Sequence, residues 1–153
     1  MRRVILPLIL LAVACRSAPV ELTPEQKAEV ADDFRQFRLG LYASDESLDP
    51  EPMLGSVAQD AALVIQGTEL SYDEFATAMR SGFAGLRSAS IDIREMRIDA
   101  LAADAVANTD VIAERVTDAA GDSAERFYLH TEVWVRRAGR WVMIHGQMSS
   151  PPA

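Results

Sequence analysis

The chain has two histidines, His130 and His145, and only one has a neighbour suited to acid/base work. His130 and Glu132 stand two apart in "ERFYLHTEVWVRR", an alternating run that reads as a β-strand, so their side chains share a face. An imidazole beside a carboxylate is a pair that can take up and return a proton near neutral pH. Tyr128 and Trp134 extend the same face on either side. A polar centre flanked by aromatic surface suits a small-ligand site. The same residues also admit a structural reading, with Glu132 in an ion pair and His130 hydrogen-bonded at a rim. His130 and Glu132 are therefore candidates only, and the catalytic residues are left unassigned.

Other residues give weaker signals. His145, alone in "GRWVMIHGQMSS", reads as a sheet or interface histidine. No HxH, HExxH or Cys/His spacing is present, so no metal site is expected. Without a Gly-rich phosphate loop no cofactor is expected either, and no Ser/His/Asp order suggests a hydrolase. Asp32-Asp33 and Asp45-Glu46 read as solvated helix and loop charge. Phe34, Phe37 and Phe83 at helical spacing read as core.

The elements that must position these residues fall into two blocks. Thr23-Pro24-Glu25-Gln26 is a helix start, with Thr at the N-cap, Pro at N1 and Gln at N3. Val30, Phe34, Phe37 and Leu41 then recur at helical spacing to about Tyr42. Asp49-Pro50 opens a short second helix through Met53, Leu54 and Val57, and "ALVIQG" is a short buried strand. Ser71-Tyr72-Asp73-Glu74 is a capping box that opens a third helix. From Ser88 four strands follow, separated by Ala/Asp turns, by "AAGDS" and by Arg137-Ala138-Gly139. Helices first and a curved antiparallel sheet afterwards make an α+β domain over residues 23–150.

The last hairpin fixes which residues face which. A three-residue loop, Arg137-Ala138-Gly139 with glycine in the left-handed region, pairs Trp134 with Val142, Glu132 with Ile144, His130 with Gly146 and Tyr128 with Met148. Met148 then joins the candidate pocket, while Trp141, Met143, His145, Gln147 and Ser149 face the other way. A two-residue loop, Ala138-Gly139, is the alternative and changes every partner. Both faces are largely apolar, so one is expected under the helices and the other against a second copy. A homodimer or higher homo-oligomer is the expected state.

Charge and the N-terminus limit the setting. The net charge is −8, and without Arg2 and Arg3 it is 13 basic against 23 acidic residues, or −10. Such a chain gains nothing from a phosphate backbone, so no nucleic-acid partner is expected. "MRR" followed by the apolar "VILPLILLAVA" reads as a signal peptide over 1–14, too short to span a bilayer. "LAVAC" resembles a bacterial lipobox. That implies a lipid on Cys15, the only cysteine, and a lipidated tether over 15–22. Ala12-Val13-Ala14 is also an A-x-A site for ordinary secretion. The expected address is the cell envelope, membrane-anchored through the N-terminal lipid, at the periplasmic side of an outer membrane where one exists. The alternative is a free periplasmic or secreted protein.

The element order resembles the nuclear transport factor 2-like (cystatin-like, SnoaL-like) superfamily, in which helices pack on a curved antiparallel sheet to form a cone. "HTEVWVRRAGRWVMIHGQMSS" is similar to the last hairpin of SnoaL-like proteins. It is closer still to the association domain of calcium/calmodulin-dependent protein kinases, through Thr131, Val133-Trp134, Arg136-Arg137, Gly139, Trp141 and His145-x-Gln147-x-Ser149. The family's second histidine is Gln147 here. Arg115, in "IAERVTD", matches a basic pocket residue of those domains, while Glu132 and Met148 replace two others. The resemblance implies a pocket of Arg115, Tyr128, His130, Glu132, Trp134 and Met148, with Arg115 clamping an anion or neutralising Glu132. The leading reading is binding of a small, partly apolar molecule in a conical pocket, without catalysis. One alternative is an enzyme of the SnoaL or ketosteroid isomerase type, with His130 or Glu132 as general base opposite Tyr42 or Tyr128. The other is an oligomeric assembly module with no ligand.

Overall fold

The computed structural model describes residues 21–150. The proposed signal peptide, Cys15 and most of the tether lie outside the described residues. Helix α1 spans Pro24–Glu46 and starts on the expected capping box. The Thr23 side chain accepts from the Gln26 N–H, and the Gln26 side chain accepts from the Thr23 N–H. α2 is a single turn, Glu51–Leu54. Val57 begins strand β1 (Val57–Ile65) instead of ending that helix. A left-handed pair, Gln66 and Gly67, turns β1 into β2 (Thr68–Leu70). α3, Tyr72–Ala84, begins at the Ser71/Glu74 capping box. β3 (Leu86–Ala102), β4 (Ala105–Asp118), β5 (Ser123–Arg137) and β6 (Arg140–Ser149) are the four expected strands.

The six strands form one sheet in the order β2-β1-β6-β5-β4-β3, antiparallel except where β1 runs parallel to β6. It is an α+β fold with a curved, unclosed sheet. α1 lies across the concave face. Phe34 is wholly buried there, against Trp134 and Trp141 at ring-centroid distances of 5.5 and 5.2 Å. Leu41, Val57, Leu63, Val106 and Met143 complete this core.

The last hairpin corrects the three-residue register. Ala138 and Gly139 have φ of 51° and 79°, so the loop has two residues and Arg137 faces Arg140. Two left-handed residues match the twist of the flanking strands better than the longer loop does. Trp134 therefore opposes Met143. A bulge then absorbs Ile144, so that Val133 opposes His145, Glu132 opposes Gly146 and His130 opposes Met148. Trp141 and Met143, expected on the outer face, point inward, because a one-residue slip before the bulge inverts the strand. Beyond the bulge Gly146 and Met148 face inward and His145, Gln147 and Ser149 outward, as expected. His130 and His145 stay on opposite faces.

Candidate functional site

β4 and β5 put four polar side chains on the concave face. Asn108 lies directly opposite Glu132, and Asp110 directly opposite His130. Asn108, Asp110 and Glu132 are at most 4% exposed. Arg38, one turn beyond Phe34 on α1, roofs this square and is itself 2% exposed. Its Nη2 donates to Glu132 Oε1 at 2.9 Å and to Tyr42 Oη at 3.1 Å, and its Nε to Asp110 Oδ2 at 3.4 Å. Asn108 Nδ2 donates to Asp110 Oδ2 at 2.8 Å and to Glu132 Oε2 at 3.2 Å. Trp134 Nε1 donates to the same Glu132 oxygen at 2.8 Å. Glu132 is thus a carboxylate with both oxygens occupied by donors, an anchor for the network.

His130 is placed differently. Its Nδ1 lies 2.8 Å from Asp110 Oδ1, 3.3 Å from Arg38 Nη2 and 3.4 Å from Tyr42 Oη. A guanidinium only donates and a carboxylate only accepts, so a proton on Nδ1 satisfies the shortest of the three contacts. The angle of that approach is not that of a hydrogen bond, and Asp110 Oδ1 is left without a partner among the described residues. Burial pushes Asp110 up, but His130, Arg38 and Tyr42 together hold its carboxyl well below the usual range. Burial outweighs Arg38 at Tyr42 and keeps that phenol protonated, far above its ordinary value. At Arg38 burial opposes the charge, and Glu132, Tyr42 and Asp110 more than restore it.

Above this network the cone holds a cavity of about 270 Å³. Its wall is mainly apolar, with Leu63, Phe75, Met79, Phe83 and Ile112 among the lining. Tyr128, His130, Glu132 and Met148, four of the expected pocket residues, line it together. Trp134 is wholly buried and sits in the packed core beneath. Arg115 is not in the site. Inward positions on β4 are Asn108, Asp110, Ile112 and Glu114, so strict alternation turns Arg115 outward, where it pairs with Glu125 at 3.1 Å. Arg38 takes the neutralising role expected of Arg115. Gly146 also lines the cavity, and a Cβ there would lie 2.8 Å from Met143 Sδ.

Three residues escaped the sequence reading. Arg38 interrupts the apolar stripe of α1 between Phe34 and Leu41, and Asn108 and Asp110 interrupt the inward alternation of β4 between Val106 and Ile112. Polar residues at core positions were the available signal. Asp45, read as solvated charge, also lines the cavity. Burial raises its carboxyl to about 6, against the pull of Arg38. Among the described residues no group of three His, Cys, Asp or Glu side chains has the geometry to hold a metal ion.

A model of the SnoaL-like domain matches residues 40–153. No curated protein matches the chain. Among solved structures, a putative scytalone dehydratase from Novosphingobium aromaticivorans superposes with a TM-score of 0.76 at 9% identity, over 85% of this chain and 89% of that one. The association domain of C. elegans CaMKII gives 0.68 at 19% identity, over 82% and 99%. A putative dehydratase of the NTF2-like family from Streptomyces avermitilis gives 0.72 at 15%, over 86% and 100%. At these identities the likeness is one of fold. The family model spans most of the chain, including the sheet and the cavity it encloses, and the chain accordingly belongs to the SnoaL-like family.

Proposed function

We propose that the domain takes a small, largely apolar molecule into the cone and that His130 removes a proton from it as a general base. The observation that carries this is the 2.8 Å approach of His130 Nδ1 to the buried Asp110 at the cavity wall. Asp110 holds the Nδ1–H tautomer and leaves Nε2 with a lone pair. The proton passes from a substrate carbon to Nε2, and the electron pair stays on the substrate, delocalised into an adjacent carbonyl or expelling a neighbouring leaving group. Asp110 and Glu132 together outnumber the charge of Arg38, so an imidazolium formed at His130 meets a counter-charge already in place. The dehydratase names carried by two structural neighbours are compatible with chemistry of this class.

Ligand binding without catalysis is the second reading. It is favoured by Glu132, whose oxygens are fully engaged and which serves the fold. Nitrogen-15 NMR of His130 separates the two. The base reading requires the proton on Nδ1 with Nε2 bare, and an Asp110→Asn variant that loses this tautomer. A proton on Nε2 would leave binding alone. Deuterium uptake from heavy water by apolar carbonyl compounds, lost in His130→Gln, would then report the chemistry directly.

The setting belongs to the same proposal. Cleavage before Cys15 and lipidation of that residue would place the domain at the envelope, and globomycin treatment should then accumulate precursor. Phe127 and Leu129 remain 41% and 40% exposed. Leu129 lies on the outer sheet face, which suits a contact between copies. A monomeric mass by light scattering at micromolar concentration would overturn that assembly.

A further inference from the structure

We propose that the cavity selects an amine, seating the ammonium of an otherwise apolar ligand against Asp45. The inference rests on the reading of the cone as a ligand site and adds the class of ligand. The charged side chains lining the cavity are Arg38 and Arg126 against Asp45, Glu114 and Glu132, with Asp110 directly behind. The carboxylates outnumber the arginines, and the buried arginine is already engaged. Arg38 is spent on Glu132 and Asp110, and Arg126 lies 3.9 Å from Glu114. Asp45 and Asp110 each keep one buried oxygen without a hydrogen-bond partner among the described residues, and of the two only Asp45 lines the cavity.

Asp45 is also poorly placed for the helix that carries it. It sits in the last turn of α1, where the helix dipole disfavours an anion and no basic side chain compensates. Burial and the neighbouring Glu114 both work against its charge, and Arg38 and His130 offset them only in part. A half-buried carboxylate kept at a cost to the fold in the lining of a largely apolar cavity is suited to a cationic partner. Tyr128 and Phe83 supply aromatic faces in the same lining, which also favour a cation. The net charge of −8 draws cations and repels anions at longer range.

Three probes of one skeleton test this: naphthylmethylamine, naphthylmethanol and naphthoate, titrated into the whole folded domain and followed through the His130 ring signals. The amine should bind at least about tenfold more tightly than naphthoate. Asp45→Asn should weaken the amine by about tenfold while leaving the alcohol within about twofold. The substitution removes an unfavourable helix-end charge, so the variant is expected to fold, and its unchanged alcohol affinity verifies that the cavity is intact. Equal binding of all three probes, or an amine preference that survives in Asp45→Asn, overturns the inference and leaves the cavity as a ligand site. Binding of none of the three overturns the cavity reading itself, and the inference with it.

Discussion

Helix α1 lies over two halves of one concave sheet, and the halves are built on opposite principles. At its N-terminal half Phe34 and Phe37 meet Trp134 and Trp141 in a close-packed aromatic cluster. At its C-terminal half Tyr42 and Asp45 look into a cavity of about 270 Å³. Arg38 divides them, held by Glu132 and Asp110. All four positions, 34, 38, 42 and 45, fall on one face of the helix at spacings of four, four and three. The difference teaches that a single amphipathic face can close a cone at one end and leave it open at the other. A buried ion network serves as the partition.

Removing the partition should have the largest effect. Arg38→Met leaves Asp110 and Glu132 buried with no counter-charge, and a loss of about 3–5 kcal/mol is expected in urea unfolding. Acid titration sharpens the same point. The folded-state value of Asp110 is depressed below 3.8, so its contribution is complete above that pH and is lost as the pH falls through the folded value. In Arg38→Met this acid-sensitive share should shrink, because the guanidinium no longer holds the carboxyl down. A variant as stable as the parent would mean that the two halves are not divided by this network.

The packed half comes next. Phe34→Ala should cost about 3–5 kcal/mol, since the ring is wholly buried and packed against Phe37, Trp134 and Trp141, and its loss leaves a cavity there. Asp45→Asn should act in the opposite direction. With its carboxyl raised to about 6 from 3.8, the folded state loses stability as the pH climbs between those values. Above that window the substitution should stabilise by on the order of 1–3 kcal/mol, and below it the two proteins should melt alike. Thermal melts at both ends of the window check this, and equal melting above it would show that Asp45 bears no burial cost. The smallest change is expected from Phe83→Ala on the cavity wall, under about 1 kcal/mol, because that ring already faces open space. A Phe83→Ala loss as large as that of Phe34→Ala would erase the distinction between the halves.

The hairpin shows why part of the site stayed illegible. Alternation placed Tyr128, His130, Glu132 and Trp134 on one face, and the structure keeps them there. β6 obeys alternation only on either side of Ile144. With the bulge there, Trp141 and Met143 reach the core while Gly146 and Met148 still face the cavity, and β6 also pairs in parallel with β1. Arg115 was misplaced because matching a motif across distant relatives says little about which face a residue takes. The alternation of its own strand had already turned it outward.

Local chemistry in the sequence determined where the helices start, how many long strands follow, and that His130 and Glu132 share a face. Capping boxes and period-two patterns act over a few residues and can be read one segment at a time. Only the tertiary structure decided that Arg38 pairs with Glu132 across 94 residues, that Asp110 stands behind His130, and that Asp45 borders a cavity. Those outcomes depend on how α1 crosses the sheet. In a buried network each charge is tolerated only because the others are present, so no single segment carries the information.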